Sequence, residues 1–250
     1  MTAFLYITIF LYGILIGSFL NVCIYRIPRK ENIVTTRSHC MSCGYQLKWY
    51  DLVPLFSFLL LGGRCRNCGT KLSWQYPLVE LLNGLLYIII FLANGFNAVS
   101  VIYCLVTSAL LVLSFIDFKT FEIPPGINFF IGILGVFRMA LDGTDWMKYV
   151  LGACSVSAFL MVLFWITRGK GIGGGDIKLM AASGLVLGWQ WNVLAFIWGC
   201  LFGSVIHIIR MKLSKADRTL AFGPYLSMGI FCSMLYGEAF LEWYLRICTG

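Results

Sequence analysis

Ala98-Val-Ser-Val-Ile-Tyr-Cys-Leu-Val-Thr-Ser-Ala-Leu-Leu-Val-Leu-Ser-Phe-Ile-Asp117 is a run long enough to cross a bilayer, and it ends on a carboxylate. A spanning helix needs roughly 20 apolar residues. A carboxylate at the edge of such a run is costly, and by default it marks function and calls for a named partner. Working outward, a second aspartate closes Gly171-Ile-Gly-Gly-Gly-Asp176-Ile-Lys178, directly before another apolar stretch. Each aspartate is the natural partner of the other. Two carboxyl groups sharing a proton are the working parts of an aspartic protease. The residues alone therefore point to an aspartyl protease built inside a membrane, with Asp117 and Asp176 as its catalytic pair.

Composition agrees with the membrane reading. Hydrophobic residues make up 60% of the chain, charged residues only 12%, and mean hydropathy is +0.85. Soluble domains carry about 25% charged residues. The pattern predicts an all-α polytopic membrane protein with about eight spans, near 3–25, 76–94, 98–117, 124–141, 147–167, 177–188, 191–210 and 220–247. The sixth is short and Gly-rich, which suits a half-span or an oblique helix, and Gly188-Trp189-Gln190-Trp191 reads as an interfacial turn. The first span has no basic n-region and no cleavage site, so it is expected to stay in place.

Basic residues orient these spans. Arg26, Arg29, Lys30, Arg37, Lys48, Arg64, Arg66, Lys71, Lys119, Arg168, Lys170, Lys178, Arg210, Lys212, Lys215 and Arg218 all fall on one side. Only Arg138, Lys148 and Arg246 fall on the other. The rich side is expected to be cytoplasmic. Both aspartates then lie at the cytoplasmic face. Topology accounts for most of the net charge of +8, so no nucleic-acid partner is needed. The chain divides on this reading into a first span (1–25), a cytoplasmic loop (26–75) and a transmembrane protease core (76–250).

The loop carries Cys40-Met-Ser-Cys43-Gly44 and Cys65-Arg-Asn-Cys68-Gly69. Two C-x2-C pairs read as a four-thiolate zinc site. An internal repeat supports this: Cys40-x2-Cys43-Gly44-x2-Leu47-x-Trp49 recurs as Cys65-x2-Cys68-Gly69-x2-Leu72-x-Trp74, 25 residues on. Each half is expected to be a knuckle whose Gly takes the left-handed turn. Disulfides are the alternative, and a reducing cytoplasm opposes them. Four thiolates leave no open metal position, so the zinc is expected to be structural. Cys23, Cys104, Cys154, Cys200, Cys232 and Cys248 read as packing residues.

With these motifs in order, the chain resembles the bacterial type IV prepilin leader peptidases, GxGD-type aspartyl proteases of the membrane. The resemblance runs from Gly17-Ser-Phe-Leu-Asn21-Val-Cys-Ile-Tyr-Arg26-Ile-Pro28 through both cysteine pairs, Trp49-Tyr-Asp51-Leu-Val-Pro54 and Tyr76-Pro77-Leu-Val-Glu80. It continues to Ile116-Asp117-Phe-Lys-Thr-Phe-Glu-Ile-Pro124 and the GxGD box Gly173-Gly-Gly175-Asp176. One departure is Pro125, where the family often carries a further Asp outside the catalytic pair. The resemblance implies cleavage of the short basic leader of type IV prepilin, pseudopilin or competence-pilin precursors at the cytoplasmic face. It also implies N-methylation of the new terminus from S-adenosylmethionine, catalysis by Asp117 and Asp176, and zinc on Cys40, Cys43, Cys65 and Cys68. Asn21 and Glu80, polar breaks in apolar spans, are the candidates for binding the methyl donor.

Plainer readings exist for each feature. Asp176 alone suits a helix cap, and Asp117 alone suits pairing with Lys119 or Lys178. Glu80 alone suits a hydrogen bond to the loop. A proton-coupled transporter and a zinc-loop membrane adaptor are the rival functions. The transporter lacks repeated spans and mid-membrane charges; the adaptor leaves the Gly-rich Asp176 segment without a purpose. Helix dipoles suggest a resting pair with Asp176 charged at a helix start and Asp117 neutral at a helix end.

Overall fold

The computed structural model describes residues 2–143, 145–169, 171–214 and 220–249. Lys170, Lys215, Asp217 and Arg218 lie outside the described residues, as does the Cys248 side chain. Each expected span is a helix: α1 (Thr2–Arg26), α3 (Gln75–Asn94), α4 (Ala98–Thr120), α5 (Pro125–Asp142), α6 (Trp146–Ile166), α7 (Gly174–Leu187), α8 (Trp189–Ser214) and α9 (Gly223–Thr249). The loop adds a 3-10 turn at Trp49–Leu52 and a short helix, α2 (Phe56–Leu60), neither of which the sequence pattern announces. Among the described residues, six helices (α1, α3, α4, α5, α6 and α8, the last over Trp189–Lys212) are long and apolar enough to cross a membrane. The 14 residues of α7 fall short of a full span.

The chain forms two compact units, residues 1–95 and 96–250. In the first, α1 packs on α3 along a glycine seam. A Cβ on Gly13 would lie 2.7 Å from Gly84 Cα, and one on Gly17 would lie 2.7 Å from Glu80 Cα. Backbones this close need small residues. Asn83 Nδ2 donates to Gly13 O across the seam at 2.7 Å. α3, grouped with the protease core by the sequence division, thus packs against the first span.

In the second unit α7 is held from several sides. Gly152 of α6 and Gly184 of α7 meet backbone to backbone, and Gly135 of α5 lies against Leu185. Asn192 of α8 donates from Nδ2 to Gly152 O and Met180 O, each at 3.0 Å, and accepts from Ser183 Oγ at 2.7 Å. Gly188, at φ +81°, is the whole connection from α7 to α8, so the expected Gly-Trp-Gln-Trp turn is one residue long. Pro125 opens α5 at its first position, where a missing N–H costs nothing. At the far end of α5, Asp142 pairs with Lys148 at 2.5 Å and Arg138 at 3.9 Å. Two of the three basic residues that depart from the charge asymmetry are thereby matched to a carboxylate.

Candidate functional site

Asp117 sits in the last turn of α4. The helix runs three residues past the expected boundary and closes on Phe121, a left-handed residue whose N–H donates to Asp117 O at 2.8 Å. Asp176 lies inside the first turn of α7, not ahead of it: the cap is Gly173, and Asp176 N donates to Gly173 O at 3.2 Å. Both carboxyl groups are buried. Both line one cavity of about 310 Å³ with Phe121, Glu122, Ile123, Gly173, Gly174 and Gly175.

The reason for glycine at 175 is packing. A Cβ there would stand 2.8 Å from Ile123 Cβ, so a side chain would push α7 off the segment after Asp117. The glycines at 171, 173, 174 and 175 do not take the left-handed conformation. Asn128 of α5, buried, donates to Gly175 O at 3.3 Å and ties the turn to a second helix.

Two neighbours escaped the sequence reading. Gly223, the first residue of α9, donates its N–H to Asp117 Oδ2 at 2.9 Å across 106 residues of chain. A Cβ at 223 would lie 2.7 Å from that oxygen. Glu122 adds a third carboxylate to the cavity wall. The only signal for Gly223 was a Gly-Pro pair at a helix start. Its contact also undoes the assignment of the resting proton by helix ends: Asp117 closes α4 but faces the amino end of α9, so the two dipoles oppose.

The four paired cysteines come together. Their sulfurs all lie within 4.8 Å of one another, and Cys40 Sγ is 3.8 Å from Cys68 Sγ. A tetrahedral site with Zn–S of about 2.3 Å has sulfurs about 3.8 Å apart. All four are free thiols. The two halves fold alike, as the repeat requires. Gly44 N donates to Cys40 O and Gly69 N to Cys65 O, each at 2.9 Å. Gly44 and Gly69 have φ of +72° and +69°. Cys68 Sγ lies 3.2 Å from the Thr70 hydroxyl, and hydrogen bonds from Thr70 draw this thiol from 9.0 down to about 6. The shift favours the thiolate, the form a metal ligand needs. His39 stands outside this cluster.

Asn21 and Glu80 face a second cavity of about 310 Å³, beside Ser18, Tyr25 and Tyr76. Asn21 Nδ2 donates to Tyr76 O at 3.1 Å and to Gly17 O at 3.4 Å, while its buried Oδ1 finds no partner among the described residues. Glu80 Oε2 accepts from Leu55 N at 2.8 Å, where Leu55 is left-handed at φ +59°. Arg26 is more than a topological charge: buried, it donates to the carbonyls of Asn32, Ile33, Thr36 and Arg37 and so organises the loop.

Residues 11–94 match the bacterial peptidase A24 N-terminal domain, and residues 104–208 match the type IV leader peptidase family. A Bacillus subtilis prepilin leader peptidase/N-methyltransferase is 32% identical over 246 residues, covering 97% of this chain and 98% of that protein. The chain belongs to the type IV leader peptidase family. Two further prepilin leader peptidase/N-methyltransferases agree. The Aeromonas hydrophila protein is 32% identical over 95% of this chain and 92% of its own length. The Pseudomonas aeruginosa protein is 30% identical over 98% and 94%. No solved structure matches the chain. Within this family of membrane aspartic peptidases, the two matched segments cover the four-cysteine cluster and the two aspartates respectively.

Proposed function

We propose that this protein removes the leader peptide of type IV prepilin-like precursors by aspartyl-dyad hydrolysis, with Asp117 and Asp176 as the dyad. The observation that carries this is the convergence of two buried carboxyl groups, from α4 and α7, on one cavity. Peptide hydrolysis needs a base to activate water and an acid to protonate the leaving amine. A carboxyl pair with one proton supplies both in turn, and it titrates as a unit. The Gly223 N–H fixes Asp117 Oδ2, and the Gly175–Ile123 contact fixes the approach of α7. The charge asymmetry of the loops supports cleavage on the cytoplasmic side.

Zinc is the metal that suits the four-thiolate cluster, and the residues fit it in number, chemistry and spacing. Its role is to staple the loop. N-methylation of the new terminus follows from the relatives' shared name, with S-adenosylmethionine as the donor. Asn21, with a buried unpaired oxygen, and Glu80 are the residues offered to that donor. The adaptor reading gives the paired carboxyls no task; the transporter reading would use them as a proton relay but leaves the relatives' shared peptidase name unexplained.

The test is the purified protein in lipid with a prepilin-like substrate, with and without S-adenosylmethionine, read by mass spectrometry. A product shortened by the leader, and heavier by one methyl only when the donor is present, supports both activities. Intact substrate in both arms rejects the protease.

A further inference from the structure

The loop presents one edge whose apolar and cationic groups the protease chemistry does not use. Trp74 caps α3, a helix of membrane-spanning length that starts at Gln75. Whatever touches Trp74 therefore sits at the level of the lipid headgroups. The α2 helix is held there: the Phe58 ring packs against Trp74 at a tilt of 60° with ring centroids 5.1 Å apart, and Gly63 N donates to Phe58 O at 2.8 Å. Leu72 N donates to Gly63 O at 2.7 Å. Arg64 and Lys71 form an antiparallel bridge, which puts their side chains on one side.

The result is a groove of about 370 Å³ between Phe58, Leu59, Arg64, Lys71, Leu72 and Trp74. Leu60, Trp74 and Leu59 are 86%, 73% and 69% exposed, far more apolar surface than a short polar loop should leave in water. Arg64 and Lys71 are exposed, and among the described residues neither makes an ion pair. The other loop guanidinium nearby, Arg66, is already bound to Asp51 at 2.7 Å.

We infer that this groove is a binding site for an anionic phospholipid, with the headgroup phosphate between Arg64 and Lys71 and the acyl chain along Leu59, Leu60 and Trp74. Three features select a lipid over a soluble anion. The site begins one residue before a membrane span. Its floor is apolar and its rim cationic, as a phospholipid is apolar below and anionic above. Trp, the residue that favours the headgroup level, stands at the boundary. Docking here lays the zinc loop flat on the membrane, with α2 as an interfacial helix.

The test uses the full-length protein in nanodiscs of phosphatidylcholine containing a minority of phosphatidylglycerol. Native mass spectrometry reads the lipids that remain bound. The wild type should retain phosphatidylglycerol over phosphatidylcholine, and the double variant Arg64→Gln/Lys71→Gln should lower that ratio about tenfold. Millimolar inorganic phosphate should leave the ratio unchanged. Equal ratios in wild type and variant overturn the inference, and so does displacement of the lipid by free phosphate or by an acidic peptide. If the double variant loses its metal and unfolds, brominated phosphatidylglycerol decides on folded protein. It should quench wild-type tryptophan fluorescence more than brominated phosphatidylcholine does, and Trp74→Phe should remove the excess. Equal quenching by the two lipids overturns the docking.

Discussion

Asp117 and Asp176 divide the burden of the site between two helices, and each is open to a direct test. Asp117→Asn and Asp176→Asn keep the shape of the side chain but cannot exchange the proton. Each should abolish leader cleavage while the protein stays folded and inserted; a well-expressed variant cutting at near the wild-type rate would remove that residue from the dyad. Asp142→Asn, at the Lys148 pair, should cleave normally. Gly223→Ala is a finer probe. The added methyl would meet Asp117 Oδ2 at 2.7 Å and Leu113 Cδ2 at 3.0 Å, so the carboxyl must move. A displacement near 1 Å costs about 100-fold in rate. We expect kcat to fall by about that factor with KM little changed and the melting temperature within a few degrees of wild type. A rise in KM alone would mean that Gly223 meets substrate and does not aim Asp117.

At the scale of elements, the loop between α1 and α3 is held by the four-cysteine cluster, by Arg26 and by Glu80. The protein should bind about one zinc through four thiolates. Cys40→Ser, Cys43→Ser, Cys65→Ser and Cys68→Ser should each lower zinc content and thermal stability, whereas Cys104→Ser, within α4, should leave zinc unchanged. Elemental analysis finding no metal, with disulfides mapped among the four, would refute the site. Glu80→Ala and Asn21→Ala address the second cavity. Both should impair methylation more than cleavage. Glu80→Ala should in addition lower the melting temperature, because the Leu55 N–H loses its acceptor and an unpaired donor costs about 1–3 kcal/mol. Parallel loss of both products, in step with stability, would reduce these residues to anchors of the loop.

Over the whole molecule, the distribution of Lys and Arg fixes an orientation that reporters can check. Fusions near residues 45 and 169 should report the cytoplasm, and fusions near 96 and 143 the outside. A cytoplasmic signal at 143 would break the span order and would separate the faces of the two aspartates. If the reporters confirm that orientation, the exposed edge of α2 faces the inner leaflet, where the proposed site needs anionic lipid for Arg64 and Lys71.

Much of this was legible in the chain. Spans, charge asymmetry and the cysteine repeat are periodic or compositional signals, and each is carried by residues near one another in sequence. The helices other than α2 therefore fall within a few residues of their expected places, and the two knuckles fold as their repeat foretold. The departures have one physical cause. α4 runs past Asp117 and closes on Phe121, a left-handed cap, and α7 starts early enough to enclose Asp176, with Gly175 close against Ile123. Neither contact is periodic. The same holds for Gly223 on Asp117, Asn128 on Gly175, Leu55 on Glu80 and Phe58 on Trp74. The sequence by itself determined which elements exist, which side of the membrane their loops prefer and which residues are capable of the chemistry. Only the tertiary structure decided which backbone groups meet those residues, because such contacts join segments up to 106 residues apart that share no local pattern.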